Sequence, residues 1–250
     1  MIRKFFALLA VTALATLGVP GAANASHSWN GYHWARTANP FTLKLGDNVT
    51  TTWDSYLGTT STDWTKSSVL DTTIVAGLAN PKNCRATSGR VEVCNSTYGS
   101  TGWLGIASVW ASGSHITQGT VKLNDTYFNT AKYNTPAWRN MVSCQEVGHT
   151  LGLDHQDENF DNPNLNTCMD YTNLPESNQH PNQHDYDQLV SIYSHTDSTT
   201  TVGGPTAAPA VGNDRSSWGR EIRRSASGRT SLFERSLGAN QKVFTFVTWA

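Results

Sequence analysis

Residues 145 to 155 read Gln145-Glu146-Val147-Gly148-His149-Thr150-Leu151-Gly152-Leu153-Asp154-His155. Positions 145 and 149 are four apart, so on a helix they stack on one face and aim at one point. Glu146 lies one residue round, close to that point without being a ligand to it. Gly152 suits the left-handed conformation that ends a helix, and after it the chain can turn back and bring His155 to the same place. Such a convergence suits a metal: catalytic zinc takes three protein ligands and keeps one position for water. Bound zinc lowers the pKa of that water to about 7, and a carboxylate can take its proton during attack on a carbonyl. An ordinary surface helix could also carry a Glu and a His, but the further placement of Gly152 and His155 weighs against that reading.

The run matches the pattern H-E-x-x-H-x-x-G-x-x-H at every fixed position except the first, where Gln145 stands in place of His. It resembles the zinc helix of the metzincin clan of zinc endopeptidases. Cys168-Met169-Asp170-Tyr171 is similar to the clan's Met-turn, and His184 to Tyr193 resembles the closing helix of matrixin-type catalytic domains. The likeness spans residues 30 to 195. It implies an α+β fold: a twisted mixed β-sheet, a long zinc helix and a Met-turn. It also implies Zn2+ held by His149, His155 and Gln145, with Glu146 as general base on zinc-activated water. Tyr171 would bind metal or assist at the oxyanion, and Met169 would form the floor. The substrate would be a peptide or protein, paired in extended form with the strand at the cleft edge, for which Gln118 to Asn124 is the candidate.

Gln145 departs from the pattern. Its amide oxygen is a poorer zinc donor than imidazole. Three outcomes stay open: Gln145 ligates weakly; Tyr171, Asp154 or a distant histidine such as His115 completes the site; or the chain is a secreted pseudoprotease that binds peptides or cell-wall polymers. For His115 a hydrogen-bonded loop role is the plainer reading, and His27, His33, His180, His184 and His195 show no metal spacing. A structural Ca2+ is left open.

The N-terminus reads as a secretory signal over residues 1–25. Arg3 and Lys4 precede the apolar run Phe5 to Leu17, and Ala23-Asn24-Ala25 is a small-x-small cleavage site, giving a mature chain from Ser26. No membrane association is expected after cleavage. Outside the cytosol, four cysteines suggest two disulfides. Cys84 and Cys94 flank a polar loop. If the Met-turn lies below the zinc helix, as the resemblance implies, Cys144 and Cys168 are neighbours and form the other bridge. Ser26 to Pro40 holds no cysteine, so latency through a pro-segment thiol is not expected.

Net charge is −1 across 250 residues and charged residues make up 15%, so no basic footprint points to nucleic acid. A monomer is expected. Phe41 to Leu45 alternates as a strand ended by Gly46-Asp47, the first part of Asn48 to Val75 reads as a helix, and Arg90–Cys94, Trp103–Trp110 and Gly119–Leu123 read as strands. Thr135-Pro136 suits the opening of the zinc helix. The catalytic unit would occupy residues 26–195, a linker residues 196–213, and a small basic segment residues 214–250. That segment ends in the strand-like run Lys242 to Trp249, and forms either a hairpin unit of its own or a part docked on the rest. Its charges read most simply as a solvated face.

Overall fold

A computed structural model describes residues 26–204 and 210–250; the expected signal segment lies outside them. The chain is mixed α/β. One mixed sheet of nine strands is formed by β1 (His33–Trp34), β2 (Phe41–Asn48), β3 (Leu70–Ala76), β4 (Val91–Ser96), β5 (Trp103–Ser112), β6 (His115–Asn124), β7 (Arg220–Arg224), β8 (Thr230–Gly238) and β9 (Gln241–Trp249). Among the described residues the α-helices are α1 (Asp54–Trp64), α2 (Asp125–Phe128), α3 (Pro136–Thr150), α4 (Gln183–Ile192) and α5 (Arg215–Trp218). The strand order is β3-β2-β4-β6-β5-β9-β8-β7, with β1 against the start of β6. Strands β1 to β4 pair parallel with their neighbours, and the sheet turns antiparallel from β6 to β5 onward.

Alternation along the strands builds two layers. Leu104, Ala107 and Val109 of β5, with Phe244 and Phe246 of β9, face the main core beside Val142 and Val147 of α3. Trp103, Ile106 and Trp110 of β5 join Val243 and Val247 of β9, Trp218 and Phe233 in a second cluster. Strand β2 runs on through Gly46-Asp47 to Asn48, beyond the expected end at Leu45, because that stretch pairs with both β3 and β4.

Helix α1 forms despite its Thr-rich middle because its hydroxyls find partners. Thr60 Oγ1 lies 2.8 Å from Ser143 Oγ of α3, Ser61 Oγ lies 2.7 Å from Thr72 Oγ1 of β3, and Thr59 and Thr62 donate back to the carbonyls of Ser55 and Gly58. Helix α3 opens as its first residues suggest: the Thr135 hydroxyl accepts from Trp138 N and Pro136 takes the first helical position. Asn182 and Asp185 form a reciprocal capping box at the start of α4. Cys84–Cys94 and Cys144–Cys168 are both bonded, the second tying α3 to the segment that carries Met169.

Two expectations are corrected. Gln118 to Asn124 is not a cleft-edge strand: it lies in β6, inside the sheet between β4 and β5. Short alternating strands look alike at the edge and in the middle, because the pattern reports which face is buried rather than which neighbours are paired. The strand beside α3 is β5, and its outer edge is itself taken by β9. The charges of residues 214–250 are also not all a solvated face, since Arg223 is held in a partly buried ion pair with Asp154. As a whole this segment continues the sheet through β9, β8 and β7 rather than standing as a separate hairpin. The stretch before it is likewise tied down where it is described: Asp197 N and Thr201 N donate to the carbonyls of Arg36 and Ala35, and Lys122 Nζ donates to Val211 O and Asn213 Oδ1.

Candidate metal centre and its cover

Helix α3 carries Gln145, Glu146 and His149 on a side with no solvent exposure. The helix gives way at Gly152, whose φ of +98° is the left-handed turn the sequence suggests, and a side chain there would collide with the Tyr32 carbonyl oxygen. The chain then returns His155 to His149. The two rings stand 4.6 Å apart and nearly perpendicular.

His149 Nδ1 lies 2.9 Å from the Leu153 carbonyl oxygen, which can only accept, so Nδ1 carries the proton and Nε2 keeps its lone pair. Burial, and then the neighbouring His155, hold the His149 imidazole well below its usual pKa, so it stays neutral. His149 Nε2 is buried without a hydrogen-bond partner, as are both ring nitrogens of His155 and Glu146 Oε2. The nearest carboxylate to His155 is Glu158, whose Oε1 is 3.4 Å from Nδ1. Burial pushes the Glu146 carboxyl up to about 8, against hydrogen bonds from Thr248 and the Ala107 backbone. Met169 is fully buried and its sulfur packs under the helix at Gly148, where a Cβ would sit 2.5 Å from it.

Gln145 is on the same face but its carboxamide is occupied at both ends. Nε2 donates to the Cys168 carbonyl at 3.0 Å, and Oε1 accepts from the Thr248 hydroxyl at 2.9 Å. The alternative ligands are also committed elsewhere. Asp154 is paired with Arg223, the Tyr171 hydroxyl donates to the Arg229 carbonyl, and His115 joins His33 and Asp197 in a separate group. Tyr171 keeps its ring edge-on to His155 at 5.3 Å.

Residues 220–250 cover this centre. Phe246 of β9 stacks flat on His149, with centroids 4.2 Å apart and planes 9° from parallel. The Thr248 hydroxyl reaches Glu146 Oε1 at 2.7 Å as well as Gln145. Arg223 of β7 clamps Asp154 and reaches Glu158 at 3.3 Å. A mostly apolar pocket remains beside Tyr171 and Thr248, bounded by Leu104, Tyr133, Trp138 and Met141. Thr248, Phe246 and Arg223 are functional neighbours that sequence reasoning missed. The signal was a strong strand pattern and a local excess of arginine, neither of which names a partner.

No protein-family model matches the chain, and neither does any curated protein. Among the described residues no helix is long and apolar enough to cross a membrane.

Proposed function

We propose that the chain is a secreted zinc metalloendopeptidase of metzincin type, described here in a form closed by its own C-terminal strands. The observation that carries the reading is a set of buried atoms without hydrogen-bond partners around the facing rings of His149 and His155: His149 Nε2, the His155 ring nitrogens and Glu146 Oε2. A buried polar atom left unpaired costs about 1–3 kcal/mol; a metal with a water would take His149 Nε2 and one nitrogen of His155 and bring a partner to Glu146, while His155 Nδ1 faces Glu158 Oε1 at 3.4 Å. His149 and His155 would hold zinc, with the Gln145 oxygen as third donor once Thr248 withdraws. Zinc, when bound, supplies Lewis acidity to the scissile carbonyl and lowers the pKa of water.

The chain's own groups do the rest. Glu146 takes the proton of the attacking water and returns it to the leaving amine. Burial under β9 keeps its carboxyl mostly protonated near neutral pH in the closed form, so opening and a bound cation would free it to act as base. Tyr171 stands over His155, placed to donate to a developing oxyanion after it releases Arg229. The edge of β5 would receive an extended peptide antiparallel, as it now receives β9. With Thr248 and Trp249 withdrawn, Leu104, Tyr133, Trp138 and Met141 would flank a substrate side chain with apolar groups. Two disulfides and a secretory-type N-terminal segment support export.

The test uses the chain from Ser26, loaded with zinc, with a specific protease site placed within residues 205–209. Cleavage of a diverse peptide mixture should be low before the cut and rise after it, and Glu146→Gln should abolish it with unchanged folding. Absence of cleavage in cut and uncut protein, with zinc at His149 and His155 demonstrated, would reject the enzyme. One observation favours a second reading: both ends of the Gln145 carboxamide have hydrogen-bond partners without metal. If no zinc is retained, the chain is a closed pseudoprotease acting as a binding module.

A further inference from the structure

A second group of metal-type donors lies away from α3. His33 begins β1, His115 begins β6, and the two are register partners across the β1–β6 pair. His195 and Asp197 come from the segment just after α4. Asp197 Oδ1 is 3.6 Å from His33 Nε2, 3.2 Å from His115 Nε2 and 3.7 Å from His195 Nε2. His195 Nε2 is in turn 3.2 Å from His33 Nε2. His33, His115 and Asp197, from three separate parts of the chain, therefore bring their ligand atoms within 4.8 Å of one another, and His195 adds a third imidazole nitrogen beside His33 and Asp197.

Hydrogen bonds can hold the group in the metal-free chain, His195 Nε2 standing 3.2 Å from His33 Nε2 and His115 Nε2 3.2 Å from Asp197 Oδ1, and the donor atoms are the ones a metal would take. His33 Nδ1 lies 2.7 Å from the Gly31 carbonyl oxygen and must donate to it, so in the neutral ring Nε2 has only a lone pair. That lone pair faces His195 Nε2 at 3.2 Å and Asp197 Oδ1 at 3.6 Å, in a ring that is almost fully buried and packed against two more histidines. A metal would take lone pairs from His33, His115 and Asp197, whose ligand atoms all lie within 4.8 Å of one another, with His195 beside two of them. The tautomer fixed by Gly31 is the one a ligand needs, with its other nitrogen anchored to a backbone carbonyl. Asp197 is held in the same manner: its second oxygen, Oδ2, accepts from Arg36 N at 3.2 Å and Arg36 Nη1 at 2.8 Å, leaving Oδ1 to point into the group.

The spacing identifies the metal class. Tetrahedral zinc with bonds of about 2.0–2.1 Å puts neighbouring ligand atoms roughly 3.3–3.4 Å apart. The four separations above, 3.2 to 3.7 Å among the six such a set has, lie about that value. Three nitrogens and one oxygen suit zinc or a neighbouring first-row divalent ion and do not suit calcium, which takes six to eight oxygens. We infer that His33, His115, His195 and Asp197 form a structural zinc site, separate from the one at His149 and His155. It would clasp β1 and the β5–β6 hairpin to the segment leading toward the C-terminal strands.

Metal content of the chain from Ser26 is measured after dialysis against buffered zinc, beside three variants: His115→Ala with His195→Ala, His149→Ala with His155→Ala, and all four changes together. The first pair is chosen because those side chains are 36% and 49% exposed, so their loss leaves the core intact. The expected result is one zinc per chain retained by the His149/His155 variant and lost in the fourfold variant. Its cobalt-substituted form should show the intense visible bands of tetrahedral nitrogen–oxygen ligation. Should the His149/His155 variant fail to fold, the comparison of wild type with the His115/His195 variant decides, the latter holding one zinc fewer. Metal content unaffected by His115→Ala and His195→Ala, or a folded His149/His155 variant that retains none, overturns the inference. Neither result depends on peptidase activity.

Discussion

Replacing Thr248 by valine isolates the contact that joins the C-terminal strands to α3. Valine keeps the shape of threonine, so no cavity opens and the change is that of the hydroxyl alone. That hydroxyl sits 2.9 Å from Gln145 Oε1 and 2.7 Å from Glu146 Oε1, and both of these side chains are wholly buried. A hydroxyl has one proton, so it serves one oxygen at a time and the loss is nearer to one hydrogen bond than two. Leaving a buried acceptor unsatisfied costs about 1–3 kcal/mol; taking the middle, about 2 kcal/mol, the melting temperature of a chain this long should fall by about 4–8 °C. Thr245 gives the control. It lies on the other face of β9 with only a 3.4 Å contact to Ser108 Oγ, and Thr245→Val should cost less than half as much. Calorimetry on the metal-free protein measures the first quantity. Hydrogen exchange of residues 246–249 measures whether the strand opens more often. Thr248→Val melting with wild type, or Thr245→Val proving the more damaging of the two, would refute the claim that Thr248 fastens the cover.

Serine at both Cys144 and Cys168 should lower stability by about 3–4 kcal/mol, from the loop entropy of a bridge spanning 24 residues, read as a lower urea midpoint. Lys122 gives a pH signature. Burial pulls its ammonium down to about 8, against about 10.4 in the unfolded chain. The unfolded state therefore binds more protons between those values, and the penalty, about 3 kcal/mol, is full below pH 8 and fades as pH rises toward 10. The stability of Lys122→Met relative to wild type should accordingly be highest at pH 7 and decline by pH 9.5, and a flat difference would count against the burial. Gln145→His should tighten zinc binding, measured by competition with a chromophoric chelator, while speeding amide exchange in β9.

The sequence carried the local features that follow from short-range chemistry. Thr135-Pro136 opens α3, Gly152 closes it, and the spacing of His149 and His155 returns one ring to the other. What it did not carry was partnership between distant segments. The alternation of Gln118 to Asn124 shows a buried face, but nothing local distinguishes β6, paired on both sides, from β5, whose free edge is filled only by β9. Phe246 and Thr248 looked like residues of a generic strand because their roles depend on that pairing. The same limit hid the second histidine group. His33, His115 and His195 have no motif spacing, and they meet because β1 lies beside the start of β6 while α4 delivers the third.

Gln145 is where the two kinds of information meet. Judged as a zinc ligand it looks like a defect. Judged in the closed form it is well chosen: a carboxamide both donates and accepts, and here it donates to Cys168 O, next to the bridge from α3, while accepting from Thr248 on β9. A neutral imidazole also has one donor and one acceptor, but they sit on a rigid, shorter ring, and the acceptor is the lone pair that zinc would claim. Histidine at position 145 would thus set metal and cover in direct competition for one nitrogen. A carboxamide oxygen competes more weakly for zinc, so the cover wins until β9 is displaced. On this argument the departure from the zinc-helix pattern and the strand that closes the cleft are one feature. The variant that restores the pattern should therefore gain metal and lose closure together, and a gain in zinc affinity with β9 exchange unchanged would separate the two.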